Sequence, residues 1–236
     1  MKECKKVTPQ QKAQLRRKWK RWVEVITRQV INLLVAQHIF KEIGGIIGNN
    51  PKIQVGSEFY TWIKDNYVAQ IGTTIRRLAE PQKKRKNYKH TISLHILLQN
   101  IAENPDAITK DYLAKKRYSG CPKHARSQCA QRDFAIFAES GATSVSVGKI
   151  NKDLKILKNK TCRIKTFVTQ WIAHWDSKKS IRRLPTFKEF EETIKLLEQL
   201  TIKYRGLITS SHAPTLMPIM PDWKKPLRYA WIEKDK

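Results

Sequence analysis

The chain has 236 residues, enough for one substantial domain with a real hydrophobic core or for two small ones. Its 47 Lys and Arg residues against 20 Asp and Glu residues give a formal net charge of +27, which favours a polyanionic partner, nucleic acid before an anionic membrane. The sequence shows neither an uninterrupted apolar run of about 18 residues nor a secretory signal pattern, and its cysteines are too widely spaced for a disulfide framework. We therefore expect a cytoplasmic protein without a membrane-spanning segment.

The first helix opens with a capping box, in which Thr8 is the N-cap, Pro9 takes the first helical position and Gln11 completes the box. Apolar residues continue at helical spacing, and a second short helix is predicted over residues 38–50. The opposite face of the first helix is basic, and is either a solvated surface or a nucleic-acid contact. Its candidate contacts are Lys12, Arg16, Arg17, Lys20 and Arg21.

A third helix is predicted after Ser57 and ends at Arg76 and Arg77. Cations at a helix C-terminus complement its dipole, and the alternative is that these two arginines bind a phosphate. The basic segment that follows is a further candidate contact for nucleic acid and contains Lys83, Lys84, Arg85 and Lys86. Residues 91–102 predict an apolar helix that carries His95 as a packed, hydrogen-bonded core histidine.

Residues 104–148 are the least regular part of the chain, with short helices predicted near residues 111–117 and 131–138. Three zinc-capable side chains lie in this part: Cys121, His124 and Cys129. Structural zinc needs four ligands, usually as two pairs, and no second pair is nearby. Reduced cysteines of a surface loop are therefore the favoured interpretation, and we expect no metal or other cofactor.

A long helix is predicted over residues 149–176, with an apolar stripe and a basic flank. It ends with His174 between two tryptophans, and Asp176 follows. This histidine is either a catalyst or a helix end whose charge complements the dipole and bonds to the nearby carboxylate. The candidate nucleic-acid contacts on this helix and in the loop after it are Lys152, Lys155, Lys158, Arg163, Lys178, Lys179, Arg182 and Arg183.

The last long helix begins at a second capping box, formed by Thr186 and Glu189. The chain after this helix has too many prolines for another helix and too many apolar side chains for a free tail, so we expect an extended segment packed on the helices. The sequence has no alternating strand pattern and predicts an all-α bundle of about five long helices. We expect residues 1–208 to form the helical domain, with 104–148 as an irregular insertion, and residues 209–236 to form the tail.

An ordered set of short motifs resembles the abortive-infection branch of the HEPN superfamily. The set runs over most of the chain and comprises Phe59-Tyr60-Thr61-Trp62, Asp65-Asn66-Tyr67, Arg76-Arg77, Ser93-Leu94, Leu97-Leu98, Ile172-Ala173-His174, Asp176, Asp222-Trp223 and Pro226. The resemblance implies an all-α bundle, often a symmetric dimer. In active members it implies a metal-independent endoribonuclease of defence or toxin–antitoxin systems, with an Arg, four to six residues and then a His near a helix end.

The arginine that this resemblance implies is missing before His174. Phe167, Val168 and Thr169 stand in its window. Arg163 lies about three helical turns, roughly 16 Å, before His174 and so cannot sit beside it on the same helix. A cation that stabilises charge on a phosphate would have to come from elsewhere. The candidates are Arg76, Arg77, Arg182, Arg183 and a second subunit.

Three functions remain open. The favoured one is a non-catalytic or degenerate HEPN-like protein that binds RNA in a defence system or ribonucleoprotein complex, as a homodimer or as a subunit of a larger nucleoprotein complex. The first alternative is an endoribonuclease toxin, in which His174 transfers protons during attack by the RNA 2′-hydroxyl, with Asp176 nearby. The second is a DNA-binding accessory protein of a mobile element. Charge alone does not rank RNA over DNA, and RNA is favoured through the resemblance.

Overall fold

The computed structural model describes residues 7–54, 58–81, 91–173, 183–211 and 213–228. Within these ranges the chain forms seven α-helices and no strand, which confirms the predicted all-α fold. The helices are α1 (Pro9–Gly48), α2 (Glu58–Ala79), α3 (Leu94–Glu103), α4 (Lys110–Arg117), α5 (Lys123–Phe134), α6 (Val147–Phe167) and α7 (Phe187–Thr209). α6 continues directly as a π-helical turn over Val168–Ala173.

The four long helices pack around one apolar core. α1 lies along α7 and α2 lies along α6, while α3 fits against α6 and α1. The core side chains recur at helical spacing on each helix, so that Trp19, Ile71, Leu157 and Tyr204 are all buried at the centre. The indole N–H of Trp19 donates to the Asn100 side chain of α3 at 2.8 Å, which gives the polar atom of this fully buried side chain a partner.

Both predicted capping boxes are present. The Thr8 hydroxyl accepts from the Gln11 N–H while the Gln11 side chain accepts from the Thr8 N–H, and Thr186 and Glu189 form the same pair at the start of α7. Each box satisfies two backbone N–H groups that a helix start would otherwise leave without a partner. The first turns of α1 and α7 are therefore fixed by local sequence alone.

The predicted break between the first helix and residues 38–50 is wrong. α1 runs without interruption to Gly48, and its 40 residues span about 60 Å. Tertiary packing holds the second half, because the Phe40 ring stacks on Tyr67 at 4.0 Å and on Phe187 at 5.4 Å between centroids. α1 is also the one described helix whose length and composition would let it cross a membrane, a test that core helices and N-terminal signal sequences pass as well.

Residues 104–148 contain more helix than predicted. α4 agrees with the helix predicted over 111–117, whereas the helix predicted over 131–138 is placed too late, because α5 covers Lys123–Phe134. The extended backbone of Pro122 starts α5 earlier than the apolar pattern indicates. Asp133 joins the two short helices, since it accepts from Arg117 at 2.7 Å and from the Tyr118 hydroxyl.

The described part of the tail lies against α7 and α1. Glu198 on α7 accepts from the Leu216 N–H at 2.8 Å and from the Thr215 hydroxyl at 2.5 Å, and Leu216 is only 6% exposed. Further along, Lys224 pairs with Glu42 on α1. An apolar anchor, two hydrogen bonds and one ion pair thus hold the tail to two of the long helices.

α2 reaches the π-helical turn at Gly72. A Cβ atom at this position would lie 2.8 Å from the Cγ2 atom of Val168 and 3.6 Å from the Cδ1 atom of Ile172, so only glycine leaves the necessary room. Nearer the end of α2, the Lys165 ammonium lies 3.5 Å from the Ala79 carbonyl oxygen. These two contacts show that α2 and α6 run antiparallel, with the end of α2 beside the last turn of α6.

Candidate nucleic-acid interface

The side of α1 that faces away from the core is basic. Arg17, Lys20, Arg21 and Arg28 are exposed there, and none of them forms an ion pair with another described residue. We call these four side chains the α1 basic face. The sequence prediction included the first three but missed Arg28, which lies about two helical turns after Arg21 and therefore on the same face.

Arg16, which was predicted as a nucleic-acid contact, is engaged within the fold. Its Nη1 atom donates to the Ala107 carbonyl at 2.8 Å, and its guanidinium carbon lies 4.2 Å from the centre of the Tyr112 ring. These contacts tie α1 to α4 and to the segment before it. Lys12, one turn earlier, is half-buried, so the free cations of α1 begin at Arg17.

α6 contributes a second set of free cations. Lys152, Lys155 and Lys158 are exposed, as predicted for nucleic-acid contacts, and within the described ranges they have no ion pair. A lysine without a carboxylate partner keeps its full charge available for a phosphate. α6 therefore adds three such side chains to the four of the α1 basic face.

A cationic cluster lies where α2, α3 and α6 meet, and we call its four members the cationic junction: Arg76, His95, Lys158 and Lys165. Glu80 is the acidic neighbour, with its Oε2 atom 3.8 Å from the Nε atom of Arg76. The sequence prediction treated His95 as a core residue and did not include Lys165. The cluster depends on three separate helices, so no local pattern in the sequence could have indicated it.

Burial and nearby positive charges both lower pKa values in the cationic junction. Burial lowers the pKa of Lys165, and the neighbouring Arg76 and Lys158 lower it further, while Glu80 opposes them. Burial also lowers the pKa of His95, with added repulsion from Lys165 and Lys158. An anion bound here would offset this repulsion.

Arg163 and Arg183, both predicted nucleic-acid contacts, are held by a carboxylate in the cleft between α6 and α7. Each donates to the Oε1 atom of Glu189, Arg163 at 2.5 Å and Arg183 at 3.1 Å. In the same cleft Lys160 pairs with Glu192 at 2.9 Å. These arginines are therefore not free in this structure, unlike the cations of α1.

The candidate catalytic residues are only partly placed. His174 and Asp176 lie outside the described residues. Arg76 sits in the cationic junction, at the level of Lys165 on α6, and Arg77 is exposed one residue later. Because α2 and α6 are antiparallel, this level is about two helical turns, roughly 11 Å, before Ala173, the residue that precedes His174.

Several predicted contacts lie outside the described residues: Lys83, Lys84, Arg85, Lys86, Lys178, Lys179 and Arg182. Of the zinc-capable side chains, Cys121 and Cys129 are free cysteines and His124 is exposed. No group of three or more metal-ligating side chains occurs in the described part of the chain.

Comparison with protein-family models, with curated proteins and with solved structures gives no significant match to this chain. The resemblance to the HEPN superfamily thus rests on the ordered motifs in the sequence, and the HEPN assignment stays a prediction. What the site offers is a set of free cations on α1 and α6 together with a crowded cationic junction.

Proposed function

We propose that this chain is an RNA-binding protein that contacts the phosphate backbone through the α1 basic face, the exposed lysines of α6 and the cationic junction. The observation that carries the proposal is that these cations have almost no acidic partners within the described residues. Surface cations of globular proteins are usually interspersed with carboxylates. A face with cations alone is destabilised by repulsion between like charges, and a bound polyanion removes this repulsion.

Backbone contacts of this kind work by counterion release. Each phosphate that is neutralised on a single strand contributes a slope of about −0.7 to the dependence of log affinity on log salt concentration. The preference for RNA over DNA, and the role as a non-catalytic HEPN-like member of a defence system or ribonucleoprotein complex, follow from the sequence resemblance. Duplex DNA that competed better than single-stranded RNA would favour the DNA-binding alternative.

The test is a salt titration of binding to single-stranded RNA. Replacing Arg17, Arg21 and Arg28 together by alanine should make the slope shallower by about 2, because three phosphate contacts are lost. A matched control removes three exposed cations from the insertion, Lys115, Lys123 and Arg132, and should leave the slope nearly unchanged. An equal effect of the two triple variants would contradict the proposal, as would binding that does not depend on salt.

A second candidate function is an endoribonuclease that uses His174. The observation in its favour is the π-helical turn, which ends at Ala173 directly before the histidine, since such turns are frequent at functional sites. Purified His174→Ala protein should then lose RNA cleavage while its helical content and RNA affinity stay the same. Cleavage that persists in this variant would exclude the histidine as the catalyst.

A further inference from the structure

Both carboxylate oxygens of Glu189 receive hydrogen bonds. Its Oε1 atom accepts from Arg163 at 2.5 Å and from Arg183 at 3.1 Å. Its Oε2 atom accepts from the Thr186 N–H at 2.8 Å and from the Thr186 hydroxyl at 3.2 Å. Four donors from three residues thus converge on one carboxylate at the N-terminus of α7.

Donors of these kinds also bind phosphate in proteins. Two guanidinium groups supply charge and directional N–H donors, while a backbone N–H and a hydroxyl at a helix start add the positive end of the dipole. The Thr186 N–H, and the two guanidinium groups after it, hold the pKa of Glu189 below its usual range, so the side chain is an anion. A carboxylate of the protein therefore occupies a site built for an oxyanion.

The site is open to a ligand. Arg163, Arg183 and Glu189 have side-chain exposures of 45%, 65% and 31%, and they line a cleft of about 610 Å³ between α6 and α7. The other charged pair of this cleft, Lys160 with Glu192, is a single ion pair. A backbone phosphate can reach the arginines from the cleft while Glu189 turns towards solvent, and one negative charge then replaces another.

We propose that this cleft is a phosphate-binding site for RNA in which Glu189 serves as an internal placeholder that the RNA backbone displaces. The inference rests on the proposed RNA-binding function. It adds a specific phosphate site and a carboxylate that lowers the affinity for RNA. Glu189 keeps Arg163 and Arg183 in position, and it weakens RNA binding because each binding event must first break these two ion pairs. RNA must therefore compete with the protein's own carboxylate.

The test compares two glutamine substitutions in the same cleft. Glu189→Gln keeps the capping box, which accepts glutamine as well as glutamate, and frees both arginines. We expect it to raise the affinity for a short single-stranded RNA at low salt by about five-fold, through two charge-assisted contacts. Glu192→Gln, also on α7, removes the same charge but frees only Lys160, and we expect no more than about a two-fold gain. Adding both Arg163→Ala and Arg183→Ala to Glu189→Gln should abolish the larger gain.

A second measurement does not need RNA. The thermal midpoint of each variant is compared in phosphate and in chloride at equal ionic strength, and phosphate should raise the midpoint of Glu189→Gln more than that of Glu192→Gln. The proposal is overturned if the two variants gain RNA affinity equally and if phosphate raises the thermal midpoint of both by the same amount. That result would leave the proposed function standing if the wild type still binds RNA with a steep salt dependence. If the wild type binds no RNA but phosphate raises the thermal midpoint of Glu189→Gln alone, the proposed function is rejected. The cleft would then still be a binding site for phosphate.

Discussion

Substituting Gly72 by alanine tests the packing between α2 and the π-helical turn. The new Cβ atom would lie 2.8 Å from the Cγ2 atom of Val168, whereas carbon atoms in contact lie about 3.5–4.0 Å apart. The Val168 side chain or one of the two helices must therefore move by roughly 0.7–1.2 Å. Gly72 is buried and Val168 is completely buried, so the Val168 side chain cannot turn into solvent to relieve the clash.

Two opposing terms set the magnitude. Overpacking of a filled core costs about 1–3 kcal/mol, while alanine gains up to about 1 kcal/mol over glycine inside a helix. We expect Gly72→Ala to lower the free energy of unfolding by about 1 kcal/mol, which corresponds to a fall of roughly 2–4 °C in Tm for a chain of this size. The same substitution at Gly45 has nothing within 4 Å of the new Cβ atom and should stabilise the protein.

The assay is urea unfolding followed by circular dichroism, with Gly45→Ala as the matched control. A double-mutant cycle with Val168→Ala identifies the contact, because removing the Cγ2 methyl group should make Gly72→Ala less harmful by about 1 kcal/mol. If Gly72→Ala proved as stabilising as Gly45→Ala and showed no coupling to Val168, the close approach of α2 to the π-helical turn would be refuted. The placement of the π-helical turn against Gly72 would then be wrong.

Two further predictions concern a titrating histidine and a buried hydroxyl. Burial and nearby lysines lower the pKa of His95, so only the unfolded chain takes up its proton just below pH 6.5, and stability is lost as pH falls through this range. His95→Gln should flatten the change in urea midpoint between pH 7 and pH 5, and an unaltered slope would contradict this. Tyr204→Phe removes a 2.7 Å hydrogen bond to Asp153 and should cost about 1–2 kcal/mol in thermal unfolding. Tyr60→Phe, whose hydroxyl has no hydrogen bond among the described residues, should cost much less, and equal losses would argue against the bond.

Local sequence signals predicted those parts of the fold that depend on neighbouring residues. The capping boxes at Thr8 and Thr186 were predicted correctly because both partners of each box lie within one helical turn. The unbroken length of α1 was not, because the stacking of Phe40 on Tyr67 that stabilises its second half is a tertiary contact. That ring contact joins two helices and has no signature in the sequence of either.

In the candidate site, too, some residues could be predicted from local sequence and others could not. The α1 basic face follows from helical periodicity, and Arg28 could have been included by extending the same count by two turns. The roles of Arg16 and Arg163 could not be predicted, because their partners Ala107 and Glu189 belong to other elements. Charge and spacing indicate which cations reach the surface, but only the packing of helices decides which of them a carbonyl or carboxylate already occupies.

Because α1 is unbroken, the angle about its axis between its basic face and its apolar flank is fixed. Its first half carries the basic face around Arg21, and its second half presents an apolar flank with Ile39 and Ile43, which lines a groove together with Trp62 of α2. A straight helix advances by about 100° per residue, so one residue inserted between the halves would turn the apolar flank by that angle relative to the arginines. The second half would then lose its fit against α2 and α7, while the arginines would stay where they are. The packing of the second half of α1 thus depends on an unbroken helical register that begins in the basic half of a helix about 60 Å long.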